Sequence, residues 1–311
     1  RSTNSVTNTT VSQNNLADSL ASLTYPSGRT ITYAFSGTGL PISASDIANG
    51  ISYASNGNYF PAGELSLLKL GSSINLTNIF NSRQQACWIY AATGTSLSSS
   101  SLCTSSASTG NIIDLKYGMA LGTADNGNVL SITNNRFPNR SQSFSYDSFN
   151  RIQSATTSAT YATDPTDCWG EAYVYDNQAS GGGPWGNLTN INVASTSYNS
   201  CTQENLSVVA NTQNRITSNG YDSAGNMTAN GASSYVYNAE NQLTSAAGVT
   251  YDYDGDGKRV SKSNGKLYWY GGGGDPIAET DASGNTTDEY VFFGGKPIDR
   301  KSTRLNSSHG I

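Results

Sequence analysis

Large apolar and aromatic side chains recur two residues apart along much of the chain, in short runs separated by Gly, Asn, Asp and Ser. Ile31, Tyr33 and Phe35 form one such set, Tyr235 and Tyr237 another, Tyr251 and Tyr253 a third. A period of two puts each set on one face of a β-strand. Leu65 to Gln85 reads as two strands about Gly71. No stretch beyond a turn or two has a helical period; PISASDIANG, residues 41–50, comes closest. Frequent turns between short strands predict an all-β chain of repeated antiparallel hairpins.

The clearest pattern lies between Tyr221 and Val260. Tyr221, Tyr237 and Tyr253 stand 16 residues apart, each followed by Asp222, Asn238 or Asp254. Three residues further on come Gly225, Asn241 and Gly257. Asp or Asn suits the first position of a type I turn, and Gly or Asn tolerates the positive φ that follows it. Each unit then leaves through an apolar residue: Met227, Leu243 and, beyond Arg259, Val260. By this alignment the third unit is one residue longer, which a bulge would absorb. Tyr146 and Asp147 repeat the start of the unit upstream. Units this small cannot bury an apolar face alone, so stability must accumulate along an array, in part through cross-strand aromatic pairs.

YDSAGNM, YNAENQL and YDGDGKRV resemble the YD repeats of the Rhs family, bacterial rearrangement-hotspot proteins whose relatives include insecticidal toxin complexes and animal teneurins. KLYWYGGGGDPIAETDASGNTTDEYVFFGGKPI, residues 266–298, resembles the run into the Rhs-associated core. The resemblance implies a long coiled sheet, one segment of an Rhs-type β-shell. Its partners would be the protein's own C-terminal toxin and a cognate immunity or delivery protein. Export or display on a bacterial surface is implied as well. In the family, self-cleavage belongs to aspartates in DPxG-type motifs; none occurs before Ile298, so no catalytic residue carries over.

The expected organisation is a polar irregular segment at 1–21, degenerate repeats at 22–145, YD repeats at 146–265 and a core-like start at 266–298. DRKSTRLNSSH, residues 299–309, is identical to the translation of a common short-read sequencing adapter, so 299–311 reads as adapter-derived. Native sequence is then expected to end near Ile298. That removes His309, the single histidine, and with it any Ser-His-Asp or Cys-His arrangement. A glycine-rich insertion before Trp185 is expected to be an exposed loop.

Composition narrows the remaining choices. The 311 residues are 36% hydrophobic and 13% charged, with a net charge of −5 and no basic stripe, which argues against a nucleic-acid partner. No apolar run reaches the length of a membrane span. Cys87, Cys103, Cys168 and Cys201 are even in number and permit two disulfides, yet no CxxC pair is present and free, half-buried thiols are the preferred reading. Asp252, Asp254 and Asp256 match the opening of a calcium loop, but Ser263 stands where its bidentate Glu should be, which favours a plain turn. Gly271 to Gly274 lacks the ending of a phosphate loop. Cofactors are therefore not expected. Trp269, between Tyr268 and Tyr270, is the candidate stacking platform for a glycan, the basis of an alternative reading as a surface adhesion or carbohydrate-binding module.

Overall fold

The computed structural model describes residues 2–3, 6–98, 103–105, 110–119, 126–176 and 185–302. Among these there are strands, turns and two 3-10 turns, Pro138–Arg140 and Thr196–Tyr198, but no α-helix. PISASDIANG forms the strand Pro41–Asp46 and a turn. The expected glycine-rich insertion falls on 177–184, outside the described residues.

The chain divides into two compact units, Arg1–Ile74 with Tyr221–Ile311, and Asn75–Gly220. In the first, one run of strands extends from Val11–Asn14 to Leu65–Leu70. The other is a ten-stranded sheet ending at Lys296–Ser302. Within each run every strand pairs antiparallel with its neighbour in sequence. The second unit continues the same way from Ala86–Thr93 to Leu206–Ser207.

Turns of two kinds alternate along the ten-stranded sheet as far as Tyr270, after which two long turns follow one another. A tight turn centred on Ala247 and Gly248 (φ +48° and +78°) closes one side, and a second, on Gly294 and Gly295 (φ +56° and +75°), closes the opposite side. The positive φ at both central residues matches the right-handed strand twist. Longer turns at Asp222, Asn238 and Asp254 close the side opposite Ala247, and the Asp281 turn falls on the side of Ala247. The bulge is not confined to the third unit: the ladder slips at Tyr146, Tyr175, Tyr237, Tyr253 and Tyr270 alike. Tyr253 pairs with Arg259 just as Tyr237 pairs with Leu243. The third unit is therefore no longer than the others, and Arg259 occupies the position assigned to Val260. Its guanidinium lies over the rings of Tyr251 and Tyr268, at 5.4 and 5.2 Å, so its stem and charge fill an aromatic slot that an aliphatic residue fills elsewhere.

In the first unit the two runs meet around Arg29. Its side chain is 4% exposed and pairs through Nε with the Glu289 carboxylate at 3.1 Å, itself 2% exposed. The guanidinium also donates to the Tyr53 hydroxyl at 2.8 Å and lies 5.1 Å from the Tyr25 ring centroid. The Ser27 amide donates to Glu289, and the Tyr25 hydroxyl to the Tyr290 carbonyl at 2.7 Å. Leu267, Trp269 and Ala278 form an apolar cluster with Val6 against it.

The second unit is built on Trp88, fully buried, whose indole N–H donates to Asp114 at 2.9 Å. Asp114 also accepts from the Gly110 amide and the Asn135 side chain. All four cysteines lie in this unit, and they are bonded rather than free: Cys87 to Cys103 and Cys168 to Cys201, with Cα atoms 5.6 and 5.2 Å apart. Spacing of 16 and 33 residues did not reveal this, because strand excursions bring the pairs together.

Breaking the Arg29–Glu289 pair from one side strands a buried charge, so Glu289→Ala should cost about 3–5 kcal/mol. Glu289→Leu combined with Arg29→Met should recover most of that, because an apolar pair needs no compensation. Urea-dependent hydrogen exchange of the strand Thr286–Phe293 measures both.

Candidate functional site

The recurring feature is a five-residue turn, with Asp or Asn at its first position. In Asp254–Lys258 the first amide donates to the fifth carbonyl at 2.9 Å, and the fourth amide to the first carbonyl at 3.0 Å. The Asp254 Oδ1 then accepts from the amides of Asp256 and Lys258 at 3.0 and 2.9 Å. One side-chain oxygen thus satisfies two backbone donors that the hairpin leaves without a strand partner. Asn238 does the same for Glu240 and Gln242, Asp147 for Phe149 and Arg151, and Asp281 for Ser283 and Asn285. In the Asp222 turn the carboxylate takes both the backbone and side-chain N–H of Asn226.

The fourth position is left-handed throughout: Asn150 (φ +60°), Asn241 (+60°), Gly225 (+95°) and Gly257 (+78°). Asn tolerates this conformation and Gly meets no steric penalty there. Where Asn stands, its amide oxygen also accepts from the neighbouring turn. Asn226 donates to Asn241 at 2.7 Å, Asn187 to Asn214 at 2.6 Å and Asn128 to Asn150 at 3.1 Å. Successive turns are thus linked side by side by amides, a connection the residue pattern did not suggest.

At five turns the tyrosine just before the turn has a second function. Its hydroxyl donates to the carbonyl of the residue just after the preceding turn. Tyr253 reaches Leu243 at 2.8 Å, Tyr270 reaches Arg259 at 2.7 Å, Tyr175 reaches Ile152 at 2.8 Å, Tyr146 reaches Val129 at 2.7 Å and Tyr59 reaches Pro41 at 2.6 Å. The strands holding Leu243 and Tyr253 are joined covalently only at their far end, through Ala247 and Gly248. The hydroxyl bond latches the open end. Spacing marked Tyr253 as a ring-packing residue, and the hydrogen bond requires the phenol specifically.

No protein-family model matches the chain. The tRNA nuclease WapA of Bacillus subtilis is 37% identical over 83 residues, 23% of this chain and 4% of WapA. The tRNA(Glu)-specific nuclease WapA of Bacillus subtilis subsp. natto matches to the same extent. Among solved structures, the Tc holotoxin pore of Photorhabdus luminescens superposes with a TM-score of 0.62 at 18% identity, over 91% of this chain and 15% of that one. The TcdB2-TccC3 complex gives a TM-score of 0.63 at 14% identity, over 94% and 18%. The fold is that of the Rhs-repeat shell proteins. The chain spans a small fraction of each relative's length.

The same turns account for the acidic candidates. Asp254 is engaged by its own turn, Asp256 lends that turn an amide, and the Asp252 carboxylate accepts from the Ser261 hydroxyl. Among the described residues no group of three or more His, Cys, Asp or Glu side chains could hold a metal ion. Trp269 is not an open glycan platform. It is 3% exposed, packed with Leu267 and Ala278, and its N–H donates to the Thr280 hydroxyl at 3.0 Å. Leu267, Tyr268 and Trp269 are all buried, so this strand is covered on both faces, a condition alternation alone does not signal. A cavity of about 660 Å³ in the first unit is floored by Leu23, Tyr33, Phe35 and Phe292, with Asp18 and Asp275 also lining it.

Burial and a bond to Glu279 push the Tyr290 hydroxyl up to about 12. The Asn226 side chain holds Asp222 below its ordinary value, and Asn285 does the same for Asp281. A depressed carboxylate stabilises the fold above its unfolded pKa of about 3.9, and the contribution is lost as pH falls through the lower folded value. Carbon-detected NMR titration should therefore place both midpoints under that of a free Asp; a midpoint at or above it contradicts the turn's grip on the carboxylate. Tyr253→Phe should cost about 1 kcal/mol by leaving the Leu243 carbonyl unpaired, and should add to Tyr175→Phe, its counterpart in the other unit, within about 0.5 kcal/mol in urea unfolding.

Proposed function

We propose that this chain is a non-catalytic wall segment of an Rhs/YD-repeat shell that encloses a C-terminal toxin and helps deliver it. The observation that carries the reading is the repeated ladder: antiparallel hairpins between sequence neighbours, many of them closed by the same turn oxygen and five of them carrying the same tyrosine latch. Such an array builds a continuous barrier from units that individually contribute little. Support also comes from the solved neighbours, which are components of toxin complexes, and from WapA, a nuclease by name. On this reading the function is mechanical. The partners are the protein's own toxin and a cognate immunity or delivery protein, and the assembly works after export from a bacterium. Backbone hydrogen bonds and disulfides, rather than a large apolar core, keep the barrier shut.

The test starts from the source DNA, sequenced across the Ile298 codon and onwards, followed by purification of the whole encoded protein. A C-terminal domain that survives proteinase K in native buffer, and is digested once the repeats are unfolded in urea, is the expected result. A C-terminal domain digested at once in native buffer overturns the enclosure. A frame that runs into further repeats and a wall anchor would replace this reading with surface adhesion.

A further inference from the structure

The two disulfides sit in different surroundings. Cys87–Cys103 is set in a cluster that also holds Ile79, Trp88, Tyr90 and Leu97. Trp88 is anchored by Asp114, Thr77 donates to the Leu97 carbonyl, and the Lys116 ammonium lies 4.0 Å from the Trp88 ring centroid. That cluster has a large aromatic core whether or not the sulfurs are joined.

Cys168–Cys201 is buried within only a small apolar cluster. Its cluster contains Ala159 and the half-cystines, with Tyr198 packed against them. The bond joins two excursions from the sheet. One, residues 158–169, lies between the strands Ile152–Thr157 and Gly170–Tyr175; the other, 194–205, follows Leu188–Val193. The other ties to this cap are polar: Ser158 and Ala159 donate their amides to the Ser141 and Asn139 carbonyls, the Asn139 side chain donates to Asp164, and Arg140 pairs with Asp167 at 2.7 Å on the surface. The Tyr198 ring lies flat on Gly170, where a Cβ would come within 2.5 Å of it, and its hydroxyl donates to the Thr157 carbonyl at 3.1 Å. The Glu204 amide donates to the Glu171 carboxylate, while the Gln203 bond to the Tyr198 carbonyl stays within the cap. The first unit contains no cysteine, so thiol chemistry addresses the second unit alone.

We propose that Cys168–Cys201 is a redox-sensitive latch, whose reduction by a thiol frees the cap formed by residues 158–169 and 194–205 and leaves the Trp88 core and the first unit folded. In the step, a thiolate of a dithiol reductant attacks one sulfur and forms a mixed disulfide. The reductant's second thiol resolves it, so the reductant is oxidised to its own disulfide and both cysteines leave as thiols. Both half-cystines are buried, Cys168 at 0% and Cys201 at 7% exposure, so the attack follows local opening of the cap. An oxidising compartment keeps the cap closed and a reducing one releases it. This inference rests on the packing of the second unit and not on the enclosure of a toxin.

Hydrogen exchange read by mass spectrometry on the whole chain, with and without dithiothreitol, tests it. Intact mass, gaining two hydrogens per bond, reports the reduction itself. Exchange in 158–169 and 194–205 should accelerate about a hundredfold on loss of the cross-link, while 86–93, 113–119 and 243–280 change little. The double variant Cys168→Ala, Cys201→Ala should show the reduced pattern without reductant, whereas Cys87→Ala, Cys103→Ala should leave 158–169 and 194–205 protected. A cap that stays protected after complete reduction overturns the proposal. So does equal loosening of both disulfide regions, or a global loss of protection.

Discussion

One side-chain oxygen at the start of most of the long turns is the constraint on which the array depends. A hairpin of this kind leaves two amides in the loop facing no strand. In a chain with 13% charged and 36% hydrophobic residues, little apolar mass is present to offset unpaired backbone groups. Asp254, Asn238, Asp147 and Asp281 each accept both amides, and the residue at the fourth position turns left-handed to present them. The hydroxyl latches and the amide links between turns are built upon that geometry, since each begins or ends at a residue the turn has placed.

Above this local layer the two units rely on different means of closure. The first joins its two runs through a buried ion pair, with Tyr25 and Tyr53 against the guanidinium. The second uses covalent bonds across excursions of the chain. Both devices fix parts of the chain that ladder hydrogen bonds between sequence neighbours leave independent.

The hairpin fold was legible because its determinants are local. Alternation marks strands, and Asp or Asn followed by Gly or Asn marks turns, within a window of a few residues. What was not legible depends on neighbours in space. Val260 looked like the exit residue because it is apolar, but the hydrogen-bond register selects Arg259, whose stem and charge suit two tyrosine rings. Trp269 looked accessible because strands in an antiparallel sheet often have one wet face, yet its strand is covered on both. The cysteines looked free because their spacing says nothing about excursions that fold back. Arg29 and Glu289 carried no signal at all, since nothing near either residue in sequence anticipates the other.

That separation has a consequence for how the molecule is made. Ladder contacts join neighbours, so hairpins can add one after another as the chain emerges, each loop closing at small entropic cost. The Ser27–Glu289 contact spans 262 residues and can form only when nearly everything between has been synthesised. Until then Arg29 stands with its aromatic neighbours and without its carboxylate. The early strands wait as a half-finished surface, and the seam at Glu289 is the clasp that closes only after the hairpins between have been made.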